Sequence, residues 1–170
     1  AKFREAGVLL LQRIYKTLGI NFDLFIGESF YEDDLNTMVD DFLKNNIGHL
    51  DKNLDSKAII VDLEEEGLGT CLIRKTDGGS LYHTRDLATL KFKKKKFNPS
   101  TLIYVVGKEQ TLYFKQLFAM AKKIGYMPKD KCIHIGFGLV LSGGTKMSTR
   151  NGGVITFEDL VEKIVARCKR

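Results

Sequence analysis

The chain has 170 residues, of which 44% are apolar, and it carries a formal net charge of +6. A chain of this length can enclose one substantial core but not two ordinary domains, and no apolar run reaches the roughly 18 residues needed to cross a bilayer. The first residues also lack a signal-peptide pattern, so we expect a soluble, cytoplasmic protein with no membrane partner.

The first part of the chain is predicted to form a helix, a strand, a second helix and a hairpin. Apolar residues at helical spacing predict a helix that ends at Gly19, a residue suited to a C-cap. The apolar run 22–27 predicts a buried strand, and 33–46 predicts an amphipathic helix. Two further apolar runs, 58–63 and 71–75, flank a glycine-rich turn and predict a hairpin.

From residue 80 onwards, helices and strands alternate. The predicted elements are a helix over 81–92, a strand over 101–107, a helix over 110–125, a strand over 131–141, and a last helix from Phe157. Thr156 and Asp159 form a capping-box signature for that last helix. Such alternation indicates an α/β fold with a parallel sheet covered by helices. Ligands of these sheets bind at the carboxyl ends of strands, here after residues 107 and 141.

Charge is distributed unevenly along the chain. Residues 1–66 contain 7 Lys/Arg against 14 Asp/Glu, whereas residues 67–170 contain 20 against 7. The basic second part fits a polyanion such as nucleotide phosphates or nucleic acid, although a solvated surface explains the charge equally well. The run Lys93–Lys96 suits the negative end of a helix dipole. The three cysteines lie far apart without ligand spacing, so we expect reduced thiols and no metal site.

The stretch GGTKMSTRNGG, residues 143–153, places two glycine pairs around cations and hydroxyls: Lys146, Arg150, Ser148 and Thr149. Glycines let a backbone move and approach a ligand closely, and such donors stabilise the charge on a leaving pyrophosphate. The loop is not a Walker A motif, because Met147 occupies the position that requires Ser or Thr. An ordinary surface loop is the alternative interpretation.

Five segments together resemble arginyl-tRNA synthetases, which are class I aminoacyl-tRNA synthetases. KMSTR (146–150) resembles the Lys-Met-Ser-Lys-Ser signature loop of that class, in its Met-Ser-Thr-Arg form. The other four are FDLFIGES (22–29), LIRKTDGGSLYHTRDLATL (72–90), YVVGKEQTLYFKQLF (104–118) and HIGFGLV (134–140). The five segments occur in the same order as in that family and extend over nearly the whole chain.

This resemblance implies an α/β fold with a Rossmann-like parallel sheet, helices on both faces, and a small antiparallel hairpin insertion near 58–76. Residues 1–170 would then form part of a catalytic domain that includes the signature loop 143–153 and the start of a following helix. We do not expect an anticodon-binding domain within these residues.

The resemblance also assigns substrate arginine to four residues: Glu28, Tyr82, Asp86 and Gln110. A guanidinium carries its donors in a fixed fork that a carboxylate can accept, so Asp86 is the candidate for that contact. Tyr82 lies four residues earlier, so both would project from one helix face. Gln110 would contact the polar groups of the substrate, and Glu28 its α-ammonium or its guanidinium. The alternatives are a surface ion pair of Asp86 with Arg85 and a core role for Tyr82.

ATP contacts are implied at two places in the chain: His134, Ile135 and Gly136, and Lys146, Met147 and Ser148. HIGF (134–137) looks like a degraded copy of the second class I signature, His-Ile-Gly-His, but Phe137 replaces the last histidine. We interpret it as part of the penultimate strand, with a backbone that meets the adenine. Lys146, Ser148 and Arg150 are the implied catalytic residues, which would hold the pyrophosphate as the loop closes.

The implied activity is the ATP-dependent conversion of arginine to arginyl-adenylate and its transfer to tRNA(Arg), with Mg²⁺ on the phosphates and a monomeric enzyme. Because the true His-Ile-Gly-His segment is missing from these 170 residues, we expect them to be inactive alone. Two alternatives remain. One is a stand-alone nucleotide-binding or RNA-binding module, and the other is a nucleotidylyltransferase of the same superfamily.

Overall fold

The computed structural model describes residues 2–52, 57–128, 131–139, 141–142, 145–146 and 156–168. The chain divides into two compact units, one formed by residues 27–138 and the other by residues 1–26 together with 139–170. In the described part of the chain, no helix has the length and apolarity required to span a bilayer.

The described residues form five α-helices and seven strands. The helices are α1 Lys2–Thr17, α2 Leu35–Lys44, α3 Tyr82–Phe97, α4 Thr111–Lys123 and α5 Phe157–Cys168. The strands are β1 Gly48–Leu50, β2 Ile59–Asp62, β3 Thr70–Arg74, β4 Leu102–Gly107, β5 Cys132–Phe137, β6 Leu141–Ser142 and β7 Thr145–Lys146. Short 3₁₀ turns occupy Glu28–Asp34, Glu64–Glu66 and Lys108–Gln110.

An antiparallel sheet with strand order β1-β2-β3 lies in the unit 27–138. Its β2 and β3 confirm the predicted hairpin, with Val61 opposite Cys71. Strand β1 adds a short third strand that the sequence analysis did not predict. It begins at Gly48, where a Cβ atom would lie 3.2 Å from side-chain atoms of Phe42 and of Ile59. A glycine therefore allows α2 to approach the sheet closely.

Helices α2 and α3 are joined by buried apolar faces and by one polar cluster. The predicted apolar face of α2 is buried, and its residues are Leu35, Met38, Val39 and Phe42. Lys91 of α3 places Nζ 2.5 Å from Asp41 Oδ2, and the Tyr126 hydroxyl donates to the same oxygen at 3.0 Å. Helix α3 is anchored to the sheet by the buried Thr84, whose hydroxyl donates to the carbonyl of Ile73.

Strands β4 and β5 form the parallel pair predicted for this part of the chain, with Tyr104 opposite His134. Helix α4 packs on one face of the pair, where the Phe114 ring lies 5.2 Å from Tyr104 and 4.6 Å from His134. The other face carries exposed apolar side chains: Ile103, Val105, Ile133, Ile135 and Phe137. The α/β class is thus confirmed, and helices cover one face of this pair among the described residues of the unit.

The other unit contains α1, α5 and the short β6–β7 hairpin. Helix α1 ends as predicted, because Gly19 has a φ of +66° and the Ile20 N–H donates to the Tyr15 carbonyl at 2.8 Å. The predicted buried strand over 22–27 is wrong, since this segment is irregular. Phe22 is 57% exposed, and its ring packs 4.8 Å from that of Tyr15. An apolar run predicts contact with other apolar groups, but it does not supply the neighbouring strand that β-structure requires.

The capping box of α5 is confirmed in both directions. The Asp159 N–H donates to Thr156 Oγ1 and the Thr156 N–H donates to Asp159 Oδ2, each at 3.1 Å. Before this helix, the predicted strand 131–141 is replaced by two elements, since β5 ends at Phe137 and β6 begins at Leu141. Strand β6 pairs in antiparallel fashion with β7, so Leu141 lies opposite Lys146.

Candidate functional site

Asp86 lies on the second turn of α3, and a tight turn connects this helix to the preceding strand β3. In that turn Gly78 has a φ of +85°, and the Gly79 N–H donates to Asp77 Oδ1 at 2.8 Å. Leu81 then adopts an extended conformation immediately before the helix. The sequence TDGGS thus forms the turn, and Thr84 fixes the helix that presents Asp86.

The Asp86 carboxylate accepts a hydrogen bond on Oδ2 from the hydroxyl of Tyr113, a residue of α4. Burial raises the pKa of Asp86 above its ordinary value, and the nearby negative charge of Glu28 acts in the same direction. The hydrogen bond from Tyr113 and the positive charge of Lys93 partly oppose this rise in pKa. The result is a half-buried carboxylate that is subject to the charge of a second anion, so a bound cation would stabilise it strongly.

Lys93 lies two helical turns after Asp86 on α3, and it differs from the lysines that follow it. Its Nζ atom lies 4.5 Å from the centre of the Tyr104 ring. Burial lowers the pKa of Lys93, and the charge of Asp86 opposes that shift. Lys94, Lys95 and Lys96 occupy the last turn of the helix, where cations suit the helix dipole as predicted.

The other residues predicted to contact arginine are Glu28, Gln110 and Tyr82, and they differ in their exposure and in their interaction with Asp86. Glu28 begins the 3₁₀ turn before α2, within electrostatic range of both Asp86 and Tyr113. Gln110 ends the 3₁₀ turn before α4, is exposed, and lies three residues before Tyr113. Tyr82 is on the first turn of α3 and is 70% exposed.

Two of the alternatives from the sequence analysis are wrong. Tyr82 is not a core aromatic residue, because most of its side chain is exposed. Arg85 does not use Asp86 as its partner, since its guanidinium lies 3.8 Å from the carboxylate of Glu32. Asp86 instead turns towards α4 and Tyr113. Among the described residues, Asp86 therefore does not form the surface ion pair with Arg85.

His134, Ile135 and Gly136 lie in β5, which confirms that HIGF is a strand segment. His134 faces α4 and places Nε2 3.0 Å from the carbonyl oxygen of Val106. Gly136 lies against the turn before α4, where a Cβ atom would come within 3.0 Å of the Lys108 Cα atom. Ile135 points to the open face and is 50% exposed. Contact of this backbone with adenine stays a prediction.

The signature loop lies largely outside the described residues. Lys146 ends strand β7, whereas Met147, Ser148, Thr149 and Arg150 are not among the residues described. The predicted role of this loop is therefore not tested by the structure. Among the described residues, no group of His, Cys, Asp and Glu forms a site that could hold a metal ion.

Three residues of this site are not predicted from the sequence: Tyr113, Lys93 and His83. The His83 ring stacks on the Tyr113 ring at 4.4 Å with an interplanar angle of 22°. Burial lowers the pKa of His83 to about 4. One signal was available, because Lys93 lies seven residues after Asp86, a spacing that returns to the same helix face. The contact of Tyr113 joins two helices and has no signal in local spacing.

Solved structures with the same fold define the class of protein. The arginyl-tRNA synthetase from Plasmodium falciparum is 25% identical, with a TM-score of 0.80 over 99% of this chain and 27% of that chain. The arginyl-tRNA synthetase from Thermus thermophilus, at 16% identity and a TM-score of 0.60, shares the fold over 78% of this chain and 28% of that chain. The fold is therefore that of class I tRNA synthetases, with an acidic site between α3 and α4.

Sequence comparison identifies the family within this class. A family model described as "tRNA synthetases class I (R), catalytic domain" matches residues 2–170, and the chain belongs to this family. The arginine–tRNA ligase of Lactococcus lactis is 45% identical over 168 residues, and arginine–tRNA ligase 1 of Bacillus cereus is 40% identical over 168 residues. Each match covers 99% of this chain but only 29% of the relative.

Proposed function

We propose that the protein that carries this chain is an arginine–tRNA ligase, and that Asp86 binds the guanidinium of the substrate. The observation that carries this proposal is a half-buried carboxylate with a raised pKa, which accepts a hydrogen bond from Tyr113 and is subject to the negative charge of Glu28. Two anions near each other disfavour one another's charge, and a cationic substrate relieves this cost. Membership of the class I (R) family supports arginine as that cation.

Asp86 is suited to arginine because a planar guanidinium can donate two parallel hydrogen bonds to one carboxylate. Lysine carries a compact ammonium on a flexible stem and fits such a fork poorly. A buried carboxylate left partly unpaired by the wrong substrate gives strong discrimination without editing. In this proposal Glu28 receives the α-ammonium or the guanidinium, Tyr82 lines the entrance with its exposed ring, and Gln110 binds polar groups of arginine.

In the activation step, a carboxylate oxygen of arginine attacks the α-phosphorus of ATP. The bond from that phosphorus to the bridging oxygen breaks, and pyrophosphate leaves with the electron pair. We assign charge stabilisation at the pyrophosphate to Lys146, Ser148 and Arg150, and contacts to ATP to His134, Ile135, Gly136 and Met147. Positioning and electrostatics are sufficient for this step, because no side-chain nucleophile is needed. Mg²⁺ would arrive on the ATP phosphates and neutralise part of their charge.

The second step of the proposed reaction transfers arginine to the terminal adenosine of tRNA(Arg). The excess of basic residues in 67–170, where 20 Lys/Arg stand against 7 Asp/Glu, supports a polyanionic partner. We further propose that the protein acts as a monomer in the cytoplasm. These assignments concern the whole protein, since this chain spans only 29% of the length of the relative from Lactococcus lactis.

A charging assay with the intact protein tests this function. The protein is incubated with ATP, total tRNA and each standard amino acid in turn, and acid-precipitable product is counted. Arginine alone should be incorporated, and Asp86→Asn should lower the rate by at least about a hundredfold, since the substrate fork loses its charged acceptor. A folded protein that binds RNA but charges no amino acid would favour the binding-module alternative. Transfer of a nucleotide without any amino acid would favour a nucleotidylyltransferase.

A further inference from the structure

Tyr113 reaches Asp86 from a different helix, and this hydrogen bond fixes the carboxylate. Asp86 belongs to α3 and Tyr113 to α4, and the phenol donates to Oδ2. An aspartate terminal torsion is broad when nothing restrains it, so a free carboxylate can rotate. A carboxylate offers about four lone-pair sites, and one donor leaves enough of them for a guanidinium fork.

The Tyr113 ring is itself held on two sides. His83 stacks on it at 4.4 Å and 22°, and Phe114 contacts it edge-on at 5.4 Å and 89°. His83 lies three residues before Asp86, so the two side chains emerge from neighbouring positions on one face of α3. The hydroxyl therefore has little freedom to leave the carboxylate.

We propose that Tyr113 is a positioning residue for arginine selection, whose hydroxyl sets the plane of the Asp86 carboxylate for the guanidinium fork. The inference rests on the proposed function and deepens it, because it assigns the geometry of the acceptor to a residue that need not touch arginine. Loss of the hydroxyl leaves the charge in place but lets the carboxylate rotate, and each bond of the fork then forms less often.

The charge state of Asp86 provides a readout that a purely structural role would not change. The groups that act on it come from four elements: Glu28, Lys93, Tyr104 and Tyr113. Burial and Glu28 raise the pKa of Asp86, whereas Tyr113 and Lys93 lower it. Tyr104 lies close enough for Asp86 to raise the pKa of its phenol. Removing the Tyr113 hydroxyl therefore raises the pKa of Asp86 further. As the pH falls, Asp86 should then lose its charge, and the protein its arginine binding, at a higher pH than in the parent.

The test is calorimetric titration of the intact protein with L-arginine, and separately with ATP, between about pH 5 and pH 8. Tyr113→Phe is compared with Tyr126→Phe, a matched control that removes a tyrosine hydroxyl from another aspartate, Asp41. We expect Tyr113→Phe to weaken arginine binding about tenfold at pH 8, as for a hydrogen bond to a charged group. The pH at which binding is half lost should rise, while ATP binding and the control stay unchanged.

A second variant protects the test against misfolding. If thermal melting shows that Tyr113→Phe does not fold, His83→Ala removes the ring that holds Tyr113, and it should weaken arginine binding in the same direction. Parent-like arginine affinity and pH profile in a folded variant would overturn the positioning role and leave the proposed function intact. Absence of arginine binding by the folded parent protein would instead overturn the proposed function, and this inference with it.

Discussion

Asp41 and Asp86 each accept a hydrogen bond from a tyrosine and lie near a lysine, yet their pKa values shift in opposite directions. The Lys91 ammonium contacts Asp41 at 2.5 Å, and this hydrogen bond is the largest cause of its lowered pKa. Among the described residues, no ammonium or guanidinium forms such an ion pair with Asp86, and the neighbouring Arg85 faces Glu32. Asp41 is therefore a satisfied structural carboxylate, whereas Asp86 remains available for a cationic ligand.

These opposite pKa shifts predict that an Asp→Asn substitution has opposite effects on stability at the two positions. The raised pKa of Asp86 means that, as pH rises from 3.8 through its folded-state pKa, the protein loses stability. Asp86→Asn removes this loss and should be more stable than the parent at pH 7. Asp41 contributes stability above pH 3.8, which is lost as pH falls through its lowered pKa. Asp41→Asn should therefore cost about 1–3 kcal/mol at pH 7.

Urea denaturation at pH 7 and at a pH well below 3.8, where Asp41 is also protonated, measures both effects. The two variants should differ in sign at pH 7 and converge towards the parent in acid. Destabilisation by Asp86→Asn at pH 7 equal to that by Asp41→Asn would contradict the assignment of Asp86 as an unrelieved anion.

His83 gives a separate prediction on acid stability. Its pKa is lowered from 6.5 to about 4 by burial, so the unfolded chain binds a proton first as pH falls. The stability that depends on neutral His83 is complete above pH 6.5 and is lost between pH 6.5 and about 4. His83→Phe keeps a ring against Tyr113 without a titrating group, and its melting temperature should fall less in this window. His49→Phe, at an exposed position, is the matched control for the exchange of histidine for phenylalanine.

The sequence predicts the residue types of the site better than their partners. Asp86 and Glu28 follow from the family motifs, and in the structure the charge of Glu28 acts on the Asp86 carboxyl. The role of Tyr113 does not follow from the motif 104–118 that contains it, because a hydrogen bond between two helices depends on how they pack. Local sequence does not distinguish Lys93 from the lysines that follow it, because its burial and its interaction with Asp86 depend on how α3 packs.

At the scale of elements, four predictions that rest on local sequence pattern are confirmed. The apolar face of α2, the β2–β3 hairpin, the parallel β4–β5 pair and the α5 capping box all form as predicted. The strand over 22–27 is wrong and β1 was missed, because strand formation depends on a partner elsewhere in the chain. Local pattern cannot supply this partner, and three residues such as Gly48–Leu50 carry too little pattern to be recognised.

Gly136 of β5 packs against the 3₁₀ turn Lys108–Gln110, which carries Gln110. A Cβ at this position would lie 2.9 Å from the Lys108 Cβ atom and 3.0 Å from its Cα atom, so the 3₁₀ turn before α4 must shift. Gly136→Ala should cost about 1–3 kcal/mol, as overpacking does. Gly138→Ala is the matched control, since a Cβ added there would meet no atom of the described residues within 4 Å, apart from its chain neighbours. Equal unfolding midpoints of these two variants in urea would show that the turn does not constrain residue 136.

At the scale of the whole molecule, acidic residues are in excess in the first part of the chain and basic residues in the second. Residues 67–170 hold 20 Lys/Arg against 7 Asp/Glu, whereas residues 1–66 hold 7 against 14. If this basic part contacts tRNA phosphates, each contact releases counterions and makes binding depend on salt. We expect the logarithm of the tRNA affinity to fall linearly with the logarithm of salt concentration in filter binding. A flat response would mean that the basic residues serve solubility only.

The central claim is that Asp86 binds arginine in an arginine–tRNA ligase. The most direct test is arginine-dependent exchange of pyrophosphate into ATP by the intact protein with tRNA(Arg) present. The parent and Asp41→Asn should exchange at similar rates, whereas Asp86→Asn should lose activity mainly through a higher KM for arginine, with KM for ATP little changed. Exchange by Asp86→Asn at the parent rate and the parent KM for arginine would contradict the claim.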